Sequence, residues 1–293
     1  MLSDELPEKY KSDPVFDKLI DKELVAHDKK EWVRGLTILD EELFVVTEEC
    51  SEIEVFGSTK FNSIRQWKQK ELVNPKDIVS CSRNKCLYIF DCKDQCKSNE
   101  IFRIEPNGEV IKKWSTGDDW GESMSVTREG NIILALYKIS RLLIYSPDGK
   151  CEKIDLPSEI CNPLHAMQLA NGDFMVSHGF HRGDRHRVCI VDANKKFKKS
   201  FGRESGKTLR QLDCPSHLAI DGSGFVLVCD RRNARVLLLD SDLKFQREIL
   251  SKEIVPKQEH KFRWPWRILL DESNGRLLVA ENWGSGRISA FRL

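Results

Sequence analysis

The sequence predicts an all-β fold, a ring of six four-stranded antiparallel blades, on three observations. One phrase recurs six times along the 293 residues, at a spacing of roughly 40 to 50 residues. Every copy consists of short apolar, β-branched runs separated by Gly- or Asx-rich turns, the pattern of hairpin-linked strands. No copy carries helical periodicity, which argues against a helical solenoid of similar period.

The fifth copy, Cys214 to Leu250, is the clearest, with runs HLAID, FVLVCD, RVLLLD and FQREIL punctuated by DGSG, DRRN and DSDL. The fourth repeats it from Asn162 to Gly202 as NPLHAMQLANGDFMVSHG and RVCIVDANKKFKKSFG. Further copies begin near Asn74, near Gly121 and near Trp264, and a more diverged one near Trp32. Together they predict a six-bladed β-propeller over residues 21–293, with residues 1–20 a tail or linker. The last copy stops after its third run, RISAFRL, at Leu293. A ring closed with an unpaired strand edge is unfavourable, so an N-terminal segment, Glu23 to Asp28 (ELVAHD), is expected to supply the missing outer strand.

Composition limits the function classes. A chain with 40% hydrophobic and 32% charged residues can bury a sizeable core and is neither disordered nor fibrous. Its longest apolar run, Ile132 to Tyr137, is far shorter than the roughly 20 residues of a membrane-spanning helix. The N-terminus is polar and acidic, unlike a secretory signal, so a cytoplasmic location is expected, with most of the ten cysteines as thiols. The net charge of +1 conceals an asymmetry. Met1 to Lys60 holds 8 basic against 16 acidic residues, whereas His178 to Arg210 holds 10 against 3.

The phrase P-x-x-L-A-I-D-x-x-G-x-x-x-V-x-D-x-x-N-x-R-V at Pro215 to Val236 resembles an NHL repeat, and the six copies extend the resemblance over about nine-tenths of the chain. Such propellers form the C-terminal recognition domain of tripartite-motif ubiquitin ligases and related RNA-binding regulators, and the body of the lyase that completes peptide amidation. The resemblance implies the recognition end of a ligase, because no RING or B-box cysteine/histidine array is present. It also implies that a lyase would carry zinc-binding histidines directly after the repeat proline.

Aligning the copies places Arg34, Lys76, Glu122, Leu164, Ser216 and Trp266 in that position, followed by Gly35, Asp77, Ser123, His165, His217 and Arg267. The first ring has no histidine, and strand alternation is expected to turn His165 and His217 away from the axis. No channel zinc is therefore expected. Cys81, Cys86, Cys92 and Cys96 cluster in the second copy, but their gaps do not match a zinc finger, and structural or free thiols are expected. The loop HGFHRGDRH gathers His178, His181, His186 and Asp184, donors able to hold a metal, yet Arg182, Arg185 and Arg187 oppose a cation there.

The stronger pattern is positive charge beside aromatic rings. Loops between second and third strands contribute Arg182, Arg185 and His186 in copy four and Arg231, Arg232 and Arg235 in copy five. Loops leading into copies five and six add Arg203, Lys207 and Arg210, then Lys261, Arg263 and Arg267, with Phe262, Trp264, Trp266 and Trp283 nearby. Arg and Trp are typical anchors of protein interfaces, and cations with flat rings also suit single-stranded RNA. Within the repeat phrase, Asp230, Asn233 and Arg235 also have an architectural reading, as ties between loops. No nucleophile elbow, P-loop, H-E-x-x-H or dinucleotide motif occurs. The expected function is non-catalytic recognition of a protein partner by a monomeric propeller without cofactor or metal. Single-stranded RNA is the second reading, and a metal-dependent lyase or hydrolase the third.

Overall fold

The computed structural model describes residues 6–21, 32–93, 98–117, 119–255, 262–283 and 285–293. They form six four-stranded antiparallel sheets arranged as the blades of a β-propeller. The first five blades each take four consecutive strands, at residues 33–68, 75–117, 121–155, 163–204 and 215–251. In the sixth, Pro265–Asp271, Arg276–Trp283 and Ser285–Arg292 are completed by Val15–Asp21 from the N-terminus.

The closing strand thus lies earlier than the sequence suggested. Val15–Asp21 runs antiparallel to the last strand, from Val15 opposite Arg292 to Asp21 opposite Arg287. Glu23 to Asp28 falls outside the described residues. The expected tail is likewise corrected, since residues 7–20 are laid against the ring. A short 3-10 turn, Glu8–Tyr10, buries Tyr10 against Phe225, ring centroids 6.0 Å apart. Lys9 pairs with Asp221 at 2.9 Å, and Arg247 donates to the Tyr10 carbonyl at 2.8 Å. Asp17 of the closing strand meets Arg276 at 2.8 Å. These contacts fix the segment before the strand and so set its register.

Alternation in each blade sends apolar side chains to both faces, as expected for sheets covered on both sides. The result is one apolar cluster per blade interface. Leu278 and Ala290 of blade six pack with Val33, Leu43 and Val45 of blade one, which seals the ring where the chain ends meet. Among the clustered cysteines, Cys81 and Cys86 are buried thiols. Cys92, expected as a thiol, is disulfide-bonded instead. Cys96 lies outside the described residues. No helix among the described residues is long and apolar enough to cross a membrane.

One irregularity repeats in all six blades. Pairing between the first two strands slips by one residue at Arg34, Lys76, Glu122, Leu164, Ser216 and Trp266, so the inner strand carries an extra residue there. A bulge of this kind resets side-chain alternation beyond it.

Removing residues 1–21 should leave the last strand with an open edge and give a chain that aggregates or unfolds at markedly lower denaturant. An unchanged urea midpoint would contradict this closure. The milder Tyr10→Ala change should cost about 3 kcal/mol, as for other buried aromatics.

Candidate functional site

The inner strands all begin at one end of the channel, and the loops around this mouth bring cations and aromatic rings into a continuous belt. In blade three, Lys138 sits 4.9 Å from the Trp120 ring. The Tyr137 ring meets Phe180 of blade four edge-on at 5.5 Å, and its hydroxyl lies 2.6 Å from His181 Nε2. Arg232 of blade five lies over Phe180 at 4.9 Å and donates to its carbonyl at 2.6 Å. Arg231 lies over both Trp264, at 5.1 Å, and Trp266, at 4.4 Å, of blade six. Arg34 of blade one reaches the Trp266 ring at 5.2 Å. Glu48 then bridges Arg34, at 3.8 Å, to Lys76 of blade two, at 3.2 Å. Burial and the neighbouring Arg34 charge hold the Lys76 ammonium below its usual pKa.

The residues singled out in the sequence divide into four groups. Arg182 and Arg185 are exposed, Arg232 and Arg263 are half-buried, and Trp264 stands 36% exposed at the mouth. Arg231 and Trp266 belong to the belt but are largely covered. Arg203 and Arg210 are exposed elsewhere, in a lateral groove of about 410 Å³ with Leu243, Lys244 and Phe245. The remaining residues are interior. His186 is buried, accepting the Cys214 N–H on Nδ1 at 2.8 Å and facing the His181 carbonyl with Nε2 at 2.9 Å. Phe262 packs on Phe291 at 6.0 Å. Trp283 ends the second strand of blade six; its side chain and Lys261 lie outside the described residues.

The architectural reading of the repeat phrase holds for Arg235. Its Nε donates to Asp230 at 2.7 Å and Nη2 to the carbonyls of Thr208 and Gln211, tying the preceding loop down. Asn233 also donates to Asp230, at 2.8 Å. The HGFHRGDRH donors are likewise engaged separately. Asp184 accepts from the N–H groups of Phe180 and His181 and from Asn162. His178 contacts Cys189 Sγ at 3.2 Å, and burial pushes its pKa down to about 4.

The channel departs most from expectation. His165 and His217, expected to turn away from the axis, and Arg267, expected on the partner-binding face but buried, line a central cavity of about 250 Å³ together with Asp77. The repeated bulge explains this, because one extra residue turns the following side chain inward. Each inner strand is also a sheet edge, and the second ring serves the edge of the next blade. Asp77 Oδ2 accepts from Met124 N at 2.8 Å, and His165 Nδ1 accepts from Leu218 N at 3.3 Å. Gly35 has no side chain to offer Ile78 N, and Asp77 Oδ1 accepts from it instead, at 2.9 Å. A Cβ on Gly35 would come within 2.6 Å of that nitrogen.

Burial sets the charge states. The His165 and His217 rings stack with centroids 3.9 Å apart. Desolvation, aided by Arg267, pushes His165 down to about 3, and His217 also falls well below its ordinary value. Asp77 is pushed up to about 6 by burial, and so is Asp230. Arg267, 1% exposed, donates Nη2 to the Glu122 carbonyl across the channel at 2.8 Å. A sequence signal for this ring exists: Pro75, Pro163, Pro215 and Pro265 each precede by two residues a charged or imidazole side chain in an otherwise apolar run.

Histidines held neutral contribute stability that is full above their unfolded pKa and is lost as pH falls below about 6.5. Asp77 and Asp230 act in the opposite sense, losing stability as pH rises through about 6. Replacing His165 with Gln keeps an acceptor for Leu218 N and removes the titration. Between pH 6.5 and 4.5 the denaturation free energy of His165→Gln should fall less steeply than wild type, by about 1.4 kcal/mol per pH unit. Parallel slopes in urea titrations would refute the assignment.

No protein-family model and no curated protein matches the chain. Solved structures do. A streptogramin B lyase aligns with a TM-score of 0.63 at 12% identity, covering 94% of this chain and 87% of its own. Virginiamycin B lyase from Staphylococcus aureus gives 0.62 at 10% identity, over 91% of this chain and 96% of that one. Hydrazine synthase from Kuenenia stuttgartiensis gives 0.62 at 14% identity, over 94% and 99%. Likeness at such identities concerns the fold alone, and with the six sheets described above it makes this chain a six-bladed β-propeller.

Proposed function

We propose that the chain is a non-catalytic recognition propeller of NHL type that binds a partner protein at the mouth where the inner strands begin. The observation that carries this reading is the belt from Trp120 to Trp266, in which rings and cations of adjacent blades are packed against one another before any partner arrives. Pre-packed Trp and Arg side chains lose little conformational freedom on binding, which is why they dominate protein interfaces. Trp264, partly exposed, is the anchor at its centre.

RNA is the second reading, supported by exposed Arg182 and Arg185 on the loop that carries Phe180. It ranks lower because Arg231, Arg232 and Arg34 are already engaged by aromatic rings, carbonyls or Glu48, leaving less charge for phosphate. A net charge of +1 points the same way. The catalytic activities named for the lyase neighbours are not carried over, since the likeness stops at the fold.

For a partner captured from lysate and then purified, Trp264→Ala should weaken binding roughly 30-fold with little change in melting temperature, whereas Arg182→Glu/Arg185→Glu should act mainly on association rate. The opposite ranking, with binding to a randomised single-stranded RNA pool that persists at physiological salt, would replace the protein reading with RNA.

A further inference from the structure

The central cavity lies on the far side of the second ring from the mouth, because its lining starts at Asp77, His165, His217 and Arg267 and continues toward the ends of the inner strands. Its walls combine aliphatic side chains, among them Leu36, Ile78, Met124, Leu218 and Ile268, with Thr37, Ser80 and Ser125, whose hydroxyls are already bonded to one another or to the Ala166 carbonyl. Its outer rim, at Val79, Val126, Met167, Ile220 and Leu270, is partly exposed, so the cavity communicates with solvent on the face opposite the belt.

At its closed end Arg267 is almost wholly buried, yet its Nε and Nη1 have no hydrogen-bond partner, and neither does His217 Nδ1. Asp77 faces this guanidinium as an ion pair and the Trp266 ring lies 4.8 Å from it, but neither contact is a hydrogen bond. Asp77 Oδ1 lies 3.8 Å from Arg267 Nε, and both Asp77 oxygens are taken by the N–H groups of Ile78 and Met124. Buried guanidinium donors left unmet are costly, and an oxyanion that accepts from them removes the cost. Polar donors at the closed end and hydrocarbon along the walls define an amphipathic ligand. At about 250 Å³ the cavity exceeds the roughly 150 Å³ that holds a benzene and falls below the roughly 300 Å³ of the smallest drug-sized pockets.

We propose that the central cavity binds a small apolar carboxylic acid, its carboxylate accepting from Arg267 Nη1 and its hydrocarbon chain along the aliphatic part of the wall toward the rim at Met167. This site lies on the face opposite the belt and does not depend on the partner reading. A ligand there would couple to the ring through Arg267, which also holds the Glu122 carbonyl of the opposite blade.

Titration calorimetry on the full chain with sodium hexanoate, sodium acetate and hexylammonium chloride tests it. Hexanoate should bind with one-to-one stoichiometry. Acetate, with the same head but four fewer methylenes, should be about a hundredfold weaker. Hexylammonium should give no binding heat. Arg267→Lys, which keeps the charge but cannot hold a donor at the place of Nη1 while also reaching the Glu122 carbonyl, should weaken hexanoate by about tenfold or more. Met167→Trp fills the partly exposed rim without touching Arg267, and decides the matter if the arginine variant does not fold; it should abolish binding. Absence of hexanoate heat at millimolar concentration, equal binding of hexylammonium, or full binding by Met167→Trp overturns the proposal. Trp264→Ala should leave hexanoate binding unchanged, which separates this site from the mouth.

Discussion

Six sheet edges face one another across the axis of this molecule, and each presents backbone N–H and C=O groups that no strand pairs. Buried unpaired, such groups would cost a large part of the stability of a domain this size. The chain meets them with side chains, mostly reaching from one blade to the next. Thr37 Oγ1 accepts from Ser80 N, Asp77 from Met124 N, and His165 from Leu218 N, while Ser123, Ser125 and Ser216 donate to the carbonyls of Leu164, Ala166 and Trp266. At the junction of the last and first blades, Asn282 donates to the Val33 carbonyl. Ring closure therefore rests on a polar channel, with the apolar clusters between blades supplying the bulk of the burial.

This constraint separates architecture from function. Buried Asp, His and Arg around an axis look like a catalytic or metal centre. Here most of them are held by backbone groups, and the histidines stay neutral because they are desolvated beside Arg267. Arg267 is the exception, holding more donors than the fold uses. The mouth is organised differently. Its guanidinium groups stack on aromatic rings from neighbouring blades, so the belt clamps blades three to six together.

The blade count, strand number and closure by the N-terminus are legible in the sequence because hairpin turns and apolar runs repeat in phase. The position of the closing strand is not. Val15–Asp21 and Glu23 to Asp28 are both short and partly apolar, and the choice between them depends on Tyr10 and Lys9 docking on blade five, a long-range contact that leaves no local pattern. Channel facing is misread for a related reason. Strict alternation assigns Arg34, Lys76 and Trp266 to the axis, whereas one bulge per blade hands it to Asp77, His165 and Arg267. The mouth is partly legible: Trp264 and Arg231 do meet, while His186 and Phe262 share the same loops but turn inward, because burial of a single side chain is decided by packing between blades.

The measurement that bears most directly on this account is amide hydrogen exchange at the axis-facing positions Ser80, Met124 and Leu218. If channel side chains complete the sheet edges, these amides exchange as slowly as those in the middle of the blades, and in a His165→Ala variant Leu218 alone among the three loses most of its protection. Rapid exchange at all three in the wild-type protein would mean that water, and not the neighbouring blade, satisfies the inner edges, and the account of how the ring holds together would fail.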